Sequence, residues 1–596
     1  MTRRNWIASV MLAGSILLAA CGGAATEAPT KAPAQVATEV DSKKAEAPAA
    51  TAETAATAAP TVAAEATKAP EAGSAEATKV PEATTAGAAA SGIDLGFRPE
   101  VNGFSFPNYG NDTKPVNLTP ADVRRMFGDD VCARIEGDNC TLAPTADQWM
   151  QQANSAMGGG HCEGFAVLTL LMYNGKVDPN QFGAATAAAL TIDGNEKLQR
   201  EIAYWFITQA TQPAAAAIIK GTPAEIVAKL KEAYAQGKDS PDTYTIGIYK
   251  PDRSGGHAIT AYGVQDKGNG IVWIMSYDNN SPKQERYVEV DTNANTWQYE
   301  ASPNPSIATE IYKGDASTNT LEIVPSAPRL GKQVCQFCNK ATGSKGGAAV
   351  AAPTQQFNQI WMEGKSRLLL TDDAGHKLGY EGDKFLSDIP SAFVNMIKGM
   401  DPLKEDASPV YNVPMGVKLT AVLDGNNLKA EHDPTDLAMI GPGYYIGVEG
   451  IYMDPGEKDT MIIAGDGKSL TYHTDYTETP DIILGVENPT ADFELDVYGK
   501  DIASGSDTTV GFDREKGTVT VSTSATEPSS FSVAISRIDD KSTQTFNSES
   551  IQLGAKDKLT INYGAWAGNG KAMTAEIDRG GTGTKIEKVD LADTSN

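Results

Sequence analysis

One cysteine of the chain stands where a reactive thiol would be placed. Three glycines precede it and an apolar run follows it, in "GGGHCEGFAVLTLL" at residues 158–171. An apolar run of this kind predicts a buried helix, with Cys162 in its first turn. A helix N-terminus lowers the pKa of a thiol, because its unpaired amide groups and its dipole favour the thiolate. Since the thiolate is the form that attacks a carbonyl carbon, Cys162 is the candidate nucleophile.

A general base for this thiol must come from one of five histidines. His161 is adjacent to the cysteine, but neighbouring side chains at a helix start point apart, which makes it a poor partner. His257 opens "HAITAYGV" directly after "SGG", and the next strand, "IVWIMSYD", ends at Asp278. Two strands joined by a tight turn bring both residues to the same end of a sheet. We therefore predict a Cys162–His257–Asp278 triad, with Asn279 as the alternative group that orients the imidazole.

The surrounding pattern predicts the elements that would position these side chains. "LTPADVRRMFG" offers Thr119 as N-cap and Pro120 at the first helical position, and further amphipathic helices follow. The hydrophobic period then changes to two in "TYTIGIY", "HAITAYGV", "IVWIMSYD", "ERYVEV" and "TWQYE", which is typical of strands. A helical half followed by an antiparallel sheet is an α+β pattern. We place this domain over residues 93–345.

Three segments of this domain carry a resemblance to a known superfamily. "GGGHCEGFA", "GGHAITAYGV" and "YDNN" together resemble the papain-like cysteine peptidases, most nearly the bacterial peptidases related to bacteriocin leader processing. The step "GHCEGFA" is also similar to transglutaminase-like enzymes. The resemblance covers roughly residues 145–300 and implies a papain-like fold. It also implies a cysteine peptidase or amidase that acts on a protein or peptide through a thioester, without a metal or an organic cofactor.

The resemblance also implies an upstream polar side chain that stabilises the oxyanion. Gln151, Gln152 and Asn154 are the candidates, although none has the papain spacing of six residues before the cysteine. Glu163 is a second departure, because a carboxylate beside the nucleophile opposes thiolate formation unless it points into solvent.

Two other functions remain open from the sequence. The first is a catalytically inactive papain-like lipoprotein that acts in adhesion or ligand binding. The second is a transglutaminase-like acyltransferase, in which an amine replaces water as the acceptor.

The first ninety residues predict export and a tether. Arg3 and Arg4 precede the apolar run "WIASVMLAGSILLA", which is short for a membrane span but suits a signal peptide. The following "LAAC" resembles a bacterial lipobox, which implies a signal peptide over residues 1–21 and lipid attachment at Cys21. Residues 22–92 are rich in Ala, Thr, Pro and Glu, and predict a disordered stalk. We expect an extracytoplasmic lipoprotein anchored to the cell membrane.

Net charge bears on the possible partners of the protein, and cysteine spacing bears on its disulfides. The net charge of −26 argues against nucleic acid, which needs a basic surface. In an exported protein, Cys132 with Cys140 and Cys335 with Cys338 predict two local disulfides. Cross-linking between the pairs and a four-cysteine zinc site are the alternatives. The oligomeric state is left undetermined by these patterns.

The C-terminal part predicts all-β structure. Residues 354–480 and 481–596 contain short alternating segments separated by Gly, Asp and Asn turns, which favours two β-sandwich-like modules. The one segment there that predicts a helix is "IPSAFVNMIKG" at residues 389–399.

Overall fold

The computed structural model describes residues 92–253, 255–301, 310–338, 355–399 and 408–595. The predicted signal peptide, Cys21 and the predicted stalk up to residue 91 lie outside these ranges. Within them, no helix is long and apolar enough to cross a membrane.

Helices occupy the N-terminal part of the described chain. They are α1 (Pro99–Asn102), α2 (Pro120–Phe127), α3 (Pro144–Ser155), α4 (Cys162–Tyr173), α5 (Glu196–Ile207) and α6 (Pro223–Ala233). Thr119 caps α2 as predicted, in a reciprocal capping box with Asp122. Helix α4 is buried on almost every side, which explains why its sequence is apolar throughout.

An antiparallel sheet is built mainly from the strands that follow these helices. The first strands of the chain are β1 (Gly92–Asp94), β2 (Cys132–Glu136), β3 (Asn139–Leu142), β4 (Ile219–Lys220), β5 (Tyr244–Tyr249), β6 (Gly256–Gly268), β7 (Ile271–Tyr277), β8 (Glu285–Asp291), β9 (Thr296–Ala301), β10 (Glu310–Asp315) and β11 (Leu321–Pro325). The sheet order is β10-β9-β8-β7-β6-β5-β11-β4, with β1 beside β6, while β2 and β3 form a separate ribbon. Helices followed by an antiparallel sheet agree with the predicted order of elements.

The remaining strands form two large antiparallel sheets. They are β12 (Phe357–Glu363), β13 (Arg367–Asp372), β14 (Lys377–Glu381), β15 (Lys384–Ser387), β16 (Phe393–Asn395), β17 (Val410–Pro414), β18 (Leu419–Asp424), β19 (Asp433–Gly441), β20 (Tyr444–Met453), β21 (Lys458–Ile463), β22 (Ser469–Thr474), β23 (Asp481–Val486), β24 (Asp492–Lys500), β25 (Ser506–Asp513), β26 (Thr518–Thr523), β27 (Ser529–Ile538), β28 (Thr543–Asn547), β29 (Ile551–Leu553), β30 (Lys558–Asn562), β31 (Met573–Asp578) and β32 (Ile586–Leu591). One sheet has the order β16-β17-β12-β19-β20-β23-β24-β27-β28, with β29 beside β27. The other has the order β15-β14-β13-β18-β21-β22-β25-β26-β30-β31-β32.

These two sheets confirm the all-β character of the C-terminal part. Buried side chains from both sheets belong to one apolar cluster, so the sheets pack against each other. Each sheet takes strands from both sides of residue 480, where the sequence suggests a boundary between modules. Residues 357–591 therefore share their sheets across that boundary.

The sheet that contains β20 is also covered on its other side. Trp149 of α3 belongs to the same apolar cluster as Tyr445 of β20 and Ile483 of β23. A sheet that is buried on both faces needs apolar residues at consecutive positions. This explains why consecutive residues are buried in the first half of β20 and in β23, whereas buried and half-buried residues alternate in β18.

The prediction of a helix over residues 389–399 is wrong. Residues 393–395 form strand β16, which pairs with β17 so that Val394 lies opposite Tyr411. Residues 396–399 continue without regular secondary structure. Pairing with a neighbouring strand outweighed a helical propensity that differs between most residues by only a few tenths of a kcal/mol, roughly.

Both predicted local disulfides form in the structure. Cys132 is bonded to Cys140, and Cys335 is bonded to Cys338. The alternatives of cross-linking between the pairs and of a shared zinc site are therefore not realised here. Cys162 is a free, buried cysteine.

Candidate active site

Cys162 lies at the N-terminus of α4, as the sequence predicts. His161 is the N-cap residue, and Gly160 before it has a φ of +143°, which favours glycine. The Sγ atom accepts a hydrogen bond from the backbone N of Ala258 at 3.3 Å. It donates to the carbonyl oxygen of Lys398 at 3.1 Å. The thiol is fully buried between β6 and the segment that follows β16.

His257 and Asp278 come together at one end of the first sheet. His257 is the second residue of β6, and Asp278 directly follows β7. The two strands pair antiparallel, with Thr260 opposite Tyr277. His257 Nε2 lies 2.8 Å from Asp278 Oδ1, and Tyr299 of β9 donates to Asp278 Oδ2. The hairpin therefore places the imidazole against the carboxylate that would orient it.

The imidazole is buried between two groups that favour its charged form. Burial alone would lower the pKa of His257, but the charges of Asp278 and Cys162, and the hydrogen bond to Asp278, raise it to about 10. The Nδ1 atom is buried and has no hydrogen-bond partner, whereas Nε2 bonds Asp278. Burial would raise the pKa of Asp278, and the opposing charge of His257 lowers it instead. The three predicted residues thus form one electrostatic group.

Asn279, the alternative group for orienting the imidazole, bonds the backbone instead. Its Nδ2 donates to the carbonyl oxygen of Cys162 at 3.1 Å and to that of Ala258 at 2.9 Å. The side chain therefore ties the first turn of α4 to β6. Asp278, not Asn279, contacts the imidazole in this structure.

The three candidate oxyanion residues lie in α3. Gln151 donates to Asp147 of the same helix at 2.5 Å. Asn154 accepts from the backbone N of Leu118 at 2.9 Å and donates to its carbonyl oxygen at 3.1 Å. Gln152 is buried in the same helix. The hydrogen bonds of Gln151 and Asn154 thus serve the helical part of the chain.

Gln209 is a site residue that the sequence did not suggest. It follows α5 in a single turn, where its Nε2 donates to the carbonyl oxygen of Lys398 at 3.4 Å. This is the oxygen that also accepts from Cys162 Sγ. Gln209 and the thiol of Cys162 therefore contact the same carbonyl oxygen. Nothing in "ITQAT" marks Gln209, because its partner is 189 residues away in the chain.

Glu163, whose carboxylate would oppose thiolate formation unless it pointed into solvent, is buried. Its carboxylate forms an ion pair with Arg329, which is also fully buried, and accepts from Thr245 at 3.2 Å. The ammonium of Lys398 lies 3.7 Å from its other oxygen. The two cations oppose the negative charge that would otherwise disfavour a thiolate next to it.

A buried lysine occupies a pocket beside the triad. Lys398 Nζ lies 2.9 Å from Glu322 Oε1, which also accepts from Tyr249 at 2.7 Å. Burial would lower the pKa of Lys398, but the charges of Glu163 and Glu322 raise it. Gly247 makes room for this side chain, since a Cβ there would lie 2.9 Å from Lys398 Cδ. The pocket is thus built for an extended cation.

His161 is held away from a role as the base. Its Nδ1 lies 2.7 Å from the carbonyl oxygen of Tyr109, and its Nε2 lies 2.9 Å from Asn117 Oδ1. Burial lowers its pKa to about 4. Both ring nitrogens of His161 therefore face oxygen atoms rather than the thiol of Cys162.

The described part of the chain shows no group of three or more His, Cys, Asp or Glu side chains arranged to hold a metal ion. Comparison with known proteins finds no matching family model, no matching curated protein and no matching solved structure. The buried Cys–His–Asp group therefore defines the class of site, and its own geometry must carry the functional argument.

Proposed function

We propose that this protein is a cysteine hydrolase that cleaves amide or peptide bonds. Cys162 attacks the carbonyl carbon as a thiolate and forms a thioester, while His257 transfers the proton to the departing amine. Water then hydrolyses the thioester, with His257 as the general base. Asp278 holds the imidazole in its orientation and stabilises its charged form.

One observation carries this proposal. A single imidazole bonds a buried carboxylate at 2.8 Å, and the backbone N of the next residue, Ala258, donates to the thiol at the helix N-terminus at 3.3 Å. A structural histidine has no need of a buried carboxylate on one side and a thiol on the other. Taking a charged pair out of water is costly, so its burial beside a thiol favours a chemical role.

The proposal includes the architecture and the location that the sequence suggests. A papain-like arrangement of the helical region and first sheet is supported by the chain order Cys162, His257, Asp278 and by the position of the cysteine at a helix start. The surface location depends on the lipobox at Cys21, outside the described residues. Attachment to lipid would hold the enzyme at the exterior face of the membrane, among protein and peptide substrates.

An inactive binding protein is the alternative that one observation favours. Cys162 is 0 % exposed and His257 is 2 % exposed, and the carbonyl group of Lys398, within residues 396–399, lies against the thiol. A substrate from solution must displace that segment or arrive after it has moved. The two functions differ in whether the thiol ever forms a covalent bond.

Hydrolysis of a diverse library of peptide amides tests the proposal. We expect His257→Ala to lower kcat/KM by about 100-fold or more, since general acid–base catalysis contributes roughly that much. Cys162→Ser, which is nearly isosteric, should be similarly inactive. His473→Ala is the matched control and should keep the activity of wild type. His473 also bonds an aspartate, since its Nδ1 lies 2.8 Å from Asp507 Oδ1, but this pair lies on the surface of the β-rich part. Equal activity of wild type and Cys162→Ser would overturn the proposed function.

A further inference from the structure

Residues 396–399 meet the thiol with a peptide carbonyl. Cys162 Sγ lies 3.1 Å from the carbonyl oxygen of Lys398. Because a C=O bond is about 1.23 Å long, the sulfur lies no more than about 4.3 Å from the carbonyl carbon. Reacting atoms in productive complexes are separated by about 3–3.5 Å. The peptide bond after Lys398 is thus close to a position in which the thiolate could attack it.

Gln209 holds this peptide from both sides. Its Oε1 accepts from the backbone N of Lys398 at 2.7 Å, and its Nε2 donates to the carbonyl oxygen at 3.4 Å. The first contact fixes the residue before the bond to be cleaved. The second strengthens as negative charge develops on the oxygen.

The side chain of the same residue fills the acidic pocket. Glu322 and Glu163 face its ammonium, Arg329 neutralises part of the charge of Glu163, and Gly247 leaves the space for the methylene chain. Burying a lysine is costly unless its charge is paired. A stretch that only had to cover an apolar surface would not need one. The acidic pocket therefore holds the side chain of the same residue, Lys398, whose carbonyl oxygen contacts the thiol.

The residue after Lys398 is also restricted. A Cβ on Gly399 would lie 3.2 Å from the carbonyl oxygen of Gly160 and 3.3 Å from the ring of Phe206. A Cβ on Gly160 would lie 2.3 Å from the carbonyl oxygen of Gly399. Two glycines allow the backbones to approach, so the site fits lysine followed by a small residue.

We propose that residues 396–399 occupy the substrate site and that Cys162 cleaves its own chain between Lys398 and Gly399. This inference rests on the proposed hydrolase function and identifies its first substrate. It also assigns the pocket of Gly247, Glu163 and Glu322 as the subsite that selects lysine.

The reaction consumes one water and no other reactant. The thiolate of Cys162 bonds the carbonyl carbon of Lys398, and the bond from that carbon to the nitrogen of Gly399 breaks. His257 gives its proton to that nitrogen, which becomes a free amine. Water, deprotonated by His257, then adds to the thioester. Its breakdown leaves a carboxylate on Lys398 and returns the thiol.

Cell-free synthesis of the full chain, followed by gel analysis and N-terminal sequencing, tests the inference. Wild type should yield a fragment that begins at Gly399, at a rate that does not change when the protein is diluted. Cys162→Ser should remain one chain. Lys398→Met should slow the cut by at least about 100-fold, because it leaves the buried carboxylates without their cation. Lys404→Met is the matched control and should be cut like wild type.

Several outcomes would contradict self-cleavage. They are an intact wild-type chain, a cut that persists in Cys162→Ser, a cut elsewhere such as after Lys404, and a Lys398→Met chain cut as fast as wild type. The mapped cut in wild type does not depend on whether any variant folds. If wild type stays intact but hydrolyses short lysyl peptide amides in a Cys162-dependent way, only this inference fails. If it does neither, the proposed function fails as well.

Discussion

The charge of His257 is decided by its immediate neighbours. Burial opposes a charged imidazole, while Asp278 and the thiol of Cys162 favour it. The effect of these two neighbours is larger, so the pKa of His257 is raised. A protonated imidazole beside the thiol is the state in which a thiolate is stabilised. The buried carboxylate of Asp278 therefore favours the charged form of the imidazole, in addition to the orienting role that we propose for it.

Replacing Asp278 with Asn should change how both the stability and the activity of the protein depend on pH. The raised pKa of His257 stabilises the fold fully below its unfolded value of about 6.5, and this contribution is lost as pH rises through about 10. The lowered pKa of Asp278 adds stability that is lost as pH falls below about 4. In urea denaturation at about pH 6–7, we expect wild type to have a larger free energy of unfolding than Asp278→Asn. The difference between their free energies of unfolding should narrow above about pH 10.

The alkaline limit of hydrolysis should also move to lower pH in Asp278→Asn. Asp507→Asn, which removes the partner of the more exposed His473, is the control and should shift neither profile measurably. A pH profile of Asp278→Asn that coincides with that of wild type would contradict the assigned role.

Glu163 provides a second test of the buried charges. Glu163→Gln leaves Arg329 fully buried without its ion-pair partner, which should cost about 3–5 kcal/mol of unfolding free energy. Asp129→Asn breaks an ion pair with Arg124 whose aspartate is half exposed, and should cost less than about 1 kcal/mol. Urea denaturation measures both. Equal costs would show that burial of the first pair does not matter.

At the scale of elements, the position of the nucleophile depends on the packing of α4 against α5. Gly164, two residues after Cys162, lies against the backbone of α5, and a Cβ there would lie 2.1 Å from the carbonyl oxygen of Ile202. Backbone atoms cannot yield as a flexible side chain can. The glycine therefore sets how closely the two helices approach and where the first turn of α4 lies.

Gly164→Ala should separate α4 from α5. We expect a loss of about 1–3 kcal/mol from overpacking, despite the better helix propensity of alanine. Gly331→Ala, at an exposed position with no heavy atom within 4 Å of the new Cβ, is the control and should change stability by less than about 0.5 kcal/mol. Chemical denaturation compares them, and a Gly164→Ala variant as stable as wild type would show that the helices can move apart freely.

Sequence periodicity identified most elements but misread residues 389–399. Helices such as α2 and strands such as β6 were recognisable because capping residues and alternation are local signals. The segment ending at Lys398 has a helical pattern of apolar residues, yet strand pairing with β17 and contacts with Cys162 and Gln209 determine its conformation. Those partners are distant in sequence, so no local window contains them.

At the scale of the whole molecule, the β-rich part completes the site. Trp149 of α3 shares a buried cluster with Tyr445 and Ile483 of the large sheets. Gln148 also donates to Glu449 across this contact at 3.3 Å. Because these apolar side chains are buried jointly, the segment that carries Lys398 is held at Cys162 by a common core.

Tyr445→Ala should therefore weaken the helical region as well as the sheet. We expect a loss of about 3–5 kcal/mol in the free energy of unfolding, with a decrease in the protection of α4 from hydrogen exchange. Tyr452→Ala, on the same strand but 52 % exposed, should lie within about 0.5 kcal/mol of wild type. Unchanged exchange in α4 of the Tyr445→Ala chain would show that the two parts are energetically independent.

The sequence by itself predicted most of the helices and strands, favoured the two local disulfides and identified the three residues of the candidate site. It could do so because capping, alternation, cysteine spacing and a tight hairpin act over short stretches of chain. Only the tertiary structure decided that Glu163 is buried against Arg329, that Gln209 reaches the carbonyl of Lys398, and that residues 396–399 cover the thiol. Each of these is a contact between segments far apart in the chain, where packing and charge pairing outweigh local preference.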